Sequence, residues 1–285
     1  MENDSFLARL GKLDIRIFFW ILLILTAIPY VRPLGIPISI SVQVKDFHKT
    51  LDELEAGDVI IMEQGYTPTN YAMLPGGPAL FKYLTVIFPE EHGGRLKIVL
   101  KSSGEVGPVG WSEKVEDYFK EAGWEYGVDY VYLGYIPGQE TAIANLADGV
   151  NTIVAVDYYG NSMADLEMMK DINDYRDVSA VISVDASDYP DWYAKHWSSK
   201  GVPFVDMGPG PYYARWNTLY TQGILQGLIG TGRAAAEYEL LLGIPGEAVA
   251  SADTLSATHL FMILAIILGN LSVIGRGSKK IGGEI

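Results

Sequence analysis

The chain has no cysteine, four histidines and, over its 285 residues, a shortage of positive charge: 21 Lys and Arg against 35 Asp and Glu. The missing thiols exclude disulfides, thiolate metal sites and cysteine nucleophiles in one step. They leave the compartment open, because a cysteine-free chain suits an oxidising exterior and a reducing interior alike. No histidine stands in an H-E-x-x-H pattern. The sequence also holds no G-x-S-x-G elbow, no G-x-x-x-x-G-K-[ST] loop and no G-x-G-x-x-G fingerprint, so neither a zinc protease, an α/β-hydrolase nor a phosphate-binding glycine loop is signalled. The charge deficit is concentrated in residues 33–255, which carry 14 Lys and Arg against 31 Asp and Glu. An acidic body of that kind repels phosphate backbones, and nucleic-acid binding is set aside.

Two stretches are nearly free of charge. Between Ile15 and Val31 only Arg16 is charged, with Trp20 and Tyr30 as amphipathic aromatics suited to an interface. Leu255 to Ile274 contains no Asp, Glu, Lys or Arg, and its length matches the roughly 20 residues needed to cross the hydrocarbon core. The sequence therefore predicts transmembrane helices over 15–32 and 255–274, flanking an α/β domain over 33–254, with tails over 1–14 and 275–285. A cleaved signal peptide is the competing reading of the first stretch, but Thr26-Ala27-Ile28-Pro29 offers no small-x-small cleavage site. Arg9 and Lys12 precede the first stretch, Arg16 lies at its start, and Arg276, Lys279 and Lys280 follow the second. Arg32, Lys45 and Lys49 compete on the domain side. The positive-inside rule then puts both tails in the cytoplasm and the domain outside the cell membrane.

Within the domain, short apolar runs alternate with helical periodicity. Asp58 to Glu63, Leu96 to Lys101, Tyr130 to Tyr135, Val178 to Val184 and Val202 to Asp206 read as buried strands, and Thr152 to Val156 fits a strand or the end of a helix. Ile36 to Val44 alternates apolar and polar residues, as an edge strand or a stiff connector would. Helices are expected near 46–55, 77–88, 111–122, 143–154, 163–172, 191–198 and, as one long element, 218–242. Strands separated by crossover helices imply a single doubly wound, mainly parallel sheet, and at the level of fold the pattern resembles flavodoxin-like or Rossmann-like topology.

In such sheets ligands bind outside the carboxyl ends of the strands. That rule selects Ser102, Ser103 and Gly104, which resemble an anion-cradling turn in composition. It also selects Gly138 and Gln139, the carboxylates Asp185, Asp188 and Asp206, and Tyr212. The three aspartates would suit a divalent ion if they converged, although strand-end aspartates also cap helices. The aromatics of Tyr189 to Trp197 and Pro211 to Trp216 would form a stacking wall, a protein interface or a membrane-packing face. Gly223, Gly227, Gly230 and Gly232 would make one side of the long helix smooth, for packing on the sheet or on another subunit.

The expectation is a membrane-anchored ligand-binding or assembly module, working as an accessory subunit in a homo-oligomer or with other membrane proteins. The rival is a membrane-bound enzyme using strand-end carboxylates with or without a divalent metal. Which cofactor, if any, the domain uses is not written in the sequence.

Overall fold

The structure is a computed structural model that describes residues 14–281, with side chains described as far as Val273. Arg9 and Lys12 of the orientation argument, and the outer parts of both expected tails, lie outside the described residues. The chain divides into two compact units, one of residues 38–248 and the other of 1–37 with 249–285.

In the larger unit, strands β1 (Val59–Gln64), β2 (Lys97–Ser102), β3 (Tyr130–Tyr135), β4 (Ala180–Val184), β5 (Phe204–Met207) and β6 (Gly227–Ile229) form one sheet in the order β3-β2-β1-β4-β5-β6. Every pairing is parallel. The order reverses between β1 and β4, as in the dinucleotide-binding type of doubly wound sheet rather than the 2-1-3-4-5 type of flavodoxin. Continuous apolar runs form these strands because both faces of a parallel sheet are covered, and strands β1, β2 and β4 are buried along almost their whole length.

One face is covered by α2 (Val42–Asp52), α3 (residues 77–92), α4 (residues 107–121) and α8 (Gly232–Leu241). Trp111 stacks on Tyr132 and Phe119 on Tyr130 there, each at 4.5 Å between ring centroids. The other face is covered by α5 (Gln139–Asp148), α6 (Tyr189–His196) and α7 (Tyr213–Thr221), which contribute Ile143, Leu146, Tyr193 and Trp216 to one cluster with Ile61, Val99, Val181 and Phe204. Gly93 and Gly123, at φ +69° and +71°, close α3 and α4 in the left-handed conformation that a side chain disfavours.

The expected long helix over 218–242 is not there. The chain instead makes α7, the strand β6 and α8. Gly223 turns left-handed at φ +73° and stops α7, and Gly227 is extended beside α2. A Cβ on Gly227 would fall 2.2 Å from the Phe47 Cα. The glycines therefore do not line one helical face, and the subunit-packing argument built on their spacing falls with it. Gly227 alone of the four lets the α2 backbone lie against a strand inside the same domain. Ile36 to Ser41 has no regular structure, and the alternating apolar positions from Val42 onward belong to α2. Thr152 to Val156 is neither strand nor helix: it contributes one isolated bridge, Val156 to Ser162. The helix expected over 163–172 is absent, and only a 3-10 turn forms there, at Glu167–Lys170.

In the smaller unit, α1 (Ile15–Val31) and α9 (Glu247–Ile281) carry most of the large exposed apolar side chains, among them Phe19, Trp20, Leu23, Leu260, Ile263 and Ile266. Phe18 meets Phe261 at 6.1 Å, and the Thr254 hydroxyl donates to the Thr26 carbonyl at 3.4 Å. The Asp253 carboxylate accepts the backbone N–H groups of Leu34, Gly35 and Ile36 at 2.6, 2.9 and 3.1 Å. Residues 247–273 of α9 are long and apolar enough to cross a membrane, whereas α1 is a shorter apolar helix of 17 residues. The last helix passes the expected boundary at 274 and continues to Ile281.

Candidate ligand-binding crevice

At the carboxyl ends of β1 and β4, where the strand order reverses, the loops after β1, β2, β4 and β5 surround a cavity of about 330 Å³. A crevice there follows from topology, because successive crossovers depart to opposite faces and leave the strand ends uncovered. Its lining includes Gly65, Thr67, Asn70, Gly104, Glu105, Asp185 and Tyr212. Asn70 fixes the β1 loop from both ends of its amide: Oδ1 accepts the Thr67 N–H at 2.7 Å and Nδ2 donates to the Gly65 carbonyl at 2.6 Å. Gly65 has no room for a side chain, since a Cβ there would sit 2.2 Å from Asp185 Oδ1. Gly110 lets α4 approach the same loop, its Cβ position lying 2.0 Å from the Tyr66 carbonyl oxygen.

Just below the crevice, a row of polar side chains crosses the sheet. Lys101 on β2 is level with Glu63 on β1, Glu63 with Ser183 on β4, and Ser183 with Asp206 on β5. All four are buried. Equal register in a parallel sheet puts them on one face, the face that α6 covers. The Lys101 ammonium is 2.5 Å from a Glu63 carboxylate oxygen. Glu63 also accepts the Ser103 N–H at 2.6 Å, the Ser103 hydroxyl at 2.9 Å and the Tyr193 hydroxyl at 2.9 Å. The pairing of β2 with β3 slips between Leu100 and Ser102, next to Lys101.

Asp206 has a different environment. Its carboxyl oxygens are buried beside the Ser183 hydroxyl, which is near enough to offset part of the cost of burial but too poorly aligned for a well-formed hydrogen bond. Burial, with the Asp185 charge adding to it, pushes the Asp206 carboxyl well above the usual carboxylate range. Asp185 lines the crevice itself at 6% exposure. Burial and then the neighbouring Glu63 charge raise its carboxyl to about 7, although the Ser187 hydroxyl donates to it.

Of the residues selected from sequence, Gly104, Asp185 and Tyr212 line the crevice. Ser102 lies beneath it with its hydroxyl 2.6 Å from the Gln64 carbonyl, and Ser103 turns to Glu63, so neither hydroxyl is offered to a ligand. Asp206 is in the buried row. Asp188 is exposed and pairs with Arg215 at 2.8 Å. Gly138 and Gln139, at φ +113° and +48°, form the exposed entry to α5 and are not among the lining residues. Among the described residues, the one group of three His, Asp or Glu side chains with ligand atoms within 4.8 Å of one another does not include Asp185, Asp188 or Asp206.

No family model, curated protein or solved structure matches the chain. Sequence reasoning missed Glu63 and Lys101, whose signal was a charge closing each of two apolar runs, Val-Ile-Ile-Met-Glu and Ile-Val-Leu-Lys, and it read Tyr193 only as part of an aromatic segment.

Proposed function

We propose that the chain is a two-pass membrane protein whose extracytoplasmic α/β domain binds a small neutral or cationic polar ligand in the crevice between β1 and β4. The observation that carries this reading is Asp185, a nearly buried carboxyl lining a cavity of about 330 Å³ at the strand-order reversal. That volume lies in the range of small-molecule sites. Among the described residues lining it there is no Lys or Arg, while Glu105 and Asp185 both present carboxyls. Lys101, the cation below, is already committed to Glu63. A phosphate-bearing ligand would meet uncompensated negative charge, whereas hydroxyl or ammonium donors would find acceptors. Membrane anchoring is supported by the apolar run of α9 and by the α1 contacts with it.

A second reading, a membrane-bound enzyme, is favoured by the same carboxyl, because a group titrating near 7 suits general acid–base work at neutral pH.

The ligand reading is tested on the full chain in mild detergent by thermal unfolding with putrescine, glucose or ATP added. Putrescine or glucose should raise the melting temperature, ATP should not, and Asp185→Asn should abolish the shift. The reading fails if neither probe has an effect or if Asp185→Asn retains it. Orientation is tested separately: a cytoplasm-dependent reporter after Ile285 should be active, and protease outside intact cells should reach the domain.

A further inference from the structure

The crevice between β1 and β4 has more carboxyl groups around it than the one cation nearby can balance. Asp185 lines it and is all but buried. The Glu63 charge on β1 and the Asp206 carboxyl on β5 both act on Asp185 unfavourably, and Glu105, on the loop after β2, lines the same cavity. The other titratable neighbours are the Tyr189 and Tyr193 hydroxyls on α6, held above their ordinary range by burial first and then by these carboxylates. Against them stands Lys101 on β2, whose ammonium is 2.5 Å from Glu63. Asp185 itself forms no ion pair among the described residues. One of its oxygens accepts the Ser187 hydroxyl, and the other lies against Gly65 on the crevice wall.

A carboxylate so far from solvent needs a counter-charge. A proton is the smallest one, and a ligand that brings its own positive charge does the same work; the two compete for one carboxyl. The crevice wall points independently to the kind of cation. Tyr212 lines it, with its ring stacked on Trp216 at 5.0 Å between centroids and 15° between planes. Trp216 covers and fixes one face of that ring, and the other is the face a ligand can meet. An aromatic face near a carboxylate attracts organic ammonium ions. Metal ions need several converging ligand atoms, and among the described residues Asp185 belongs to no such group.

We propose that the ligand of the crevice is an organic ammonium ion that binds by replacing the proton on Asp185, an inference that rests on the ligand reading above. Binding and acidification then oppose each other. Above pH 7 the Asp185 carboxyl is already charged, and the ligand enters without expelling a proton. Below that value each binding event must expel one, and affinity falls by about tenfold per pH unit. The crevice therefore loads at neutral or higher pH and unloads in acid.

The test is titration calorimetry on the full chain in mild detergent from pH 5 to 8. The probes are putrescine, which keeps both its charges over this range, and butanediol, which has the same chain length and no charge. Putrescine should bind, weaken about tenfold per unit below pH 7, and at pH 6 release close to one proton, read from the change in heat between buffers of different ionisation enthalpy. Butanediol should not bind at the same concentrations. Asp185→Asn should remove the proton release, and Glu105→Gln, at an exposed position, should keep it. Putrescine affinity that is flat with pH, or proton release that survives Asp185→Asn, overturns the exchange and leaves the ligand reading standing. Binding of butanediol or glucose without putrescine does the same. If none of the probes binds, the ligand reading and this inference fall together.

Discussion

The polar row beneath the crevice has two halves that handle burial in opposite ways. On β1 and β2 the charge is kept and paired: Glu63 is satisfied by Lys101, Ser103 and Tyr193. On β4 and β5 the charge is disfavoured: Asp206 forms no ion pair among the described residues, and burial pushes its carboxyl well above the usual carboxylate range. The contrast teaches that one layer of one sheet can contain a carboxylate whose stability depends on a partner and a carboxyl whose stability depends on pH. The largest expected effect comes from breaking the paired half. Lys101→Met leaves the Glu63 charge buried alone and should cost about 3–5 kcal/mol in denaturant unfolding. Glu63→Gln added to Lys101→Met should recover part of the loss, because the amide oxygen still accepts from the Ser103 and Tyr193 hydroxyls, although its NH2 group then faces the Ser103 N–H. If the double variant is no more stable than the single, the penalty did not come from an unpaired charge.

The suppressed half predicts a pH dependence. The Asp185 carboxyl titrates near 3.8 in the unfolded chain and near 7 in the folded one. Folded protein therefore holds the proton more tightly. Its contribution to stability is fully present below the unfolded value and is lost as pH rises through 7, at a limiting slope of roughly 1.4 kcal/mol per pH unit. Asp206 acts in the same direction. Melting curves from pH 4 to 8 should show a shallower decline with rising pH for Asp185→Asn than for the unaltered chain. An unaltered slope in the variant would mean that the site is open to water.

A smaller effect is expected where β6 covers the suppressed half, since Leu228 is level with Asp206. Gly227→Leu drives a side chain into the α2 backbone and should cost about 1–3 kcal/mol, without changing the mass of the detergent-solubilised protein by light scattering. A drop in mass with stability intact would restore a subunit interface there. The smallest effect should be at Arg215, which is about half-exposed, as is its partner Asp188, while its other partner Asp191 is more shielded. Arg215→Ala should shift unfolding by about 0–1 kcal/mol. A larger loss would place that rim pair in the class of Lys101 with Glu63.

Five of the six strands and most of the crossover helices were legible in the sequence, because parallel strands are apolar along their whole length and glycines mark where helices stop. β6 was not. Gly-Leu-Ile is three residues long, and the glycines around it fit a helical spacing as readily as a turn and a strand. The site was legible in part. Asp185 and Tyr212 were found through the topological rule, and Gly104 through its small size. Glu63 and Lys101 were missed because their meaning is a pairing across 38 positions, and a charge closing an apolar run reads as a surface residue until the neighbouring strand is known.

The contact between α2 and β6 also sets an order of events during synthesis. Tyr220 on α7 donates its hydroxyl to the Asp46 carboxylate 174 residues earlier, and the Gly227 Cα is pressed against Phe47. Phe47 and Leu51, both fully buried in the finished domain, emerge from the ribosome long before the strand that covers them. The early apolar face of α2 must stay exposed, or be shielded by other factors, until translation has passed Ile229. Pairings this distant in sequence slow folding and lengthen exposure to aggregation. A chain truncated before Gly227 should therefore remain protease-sensitive throughout α2, even with the five preceding strands complete.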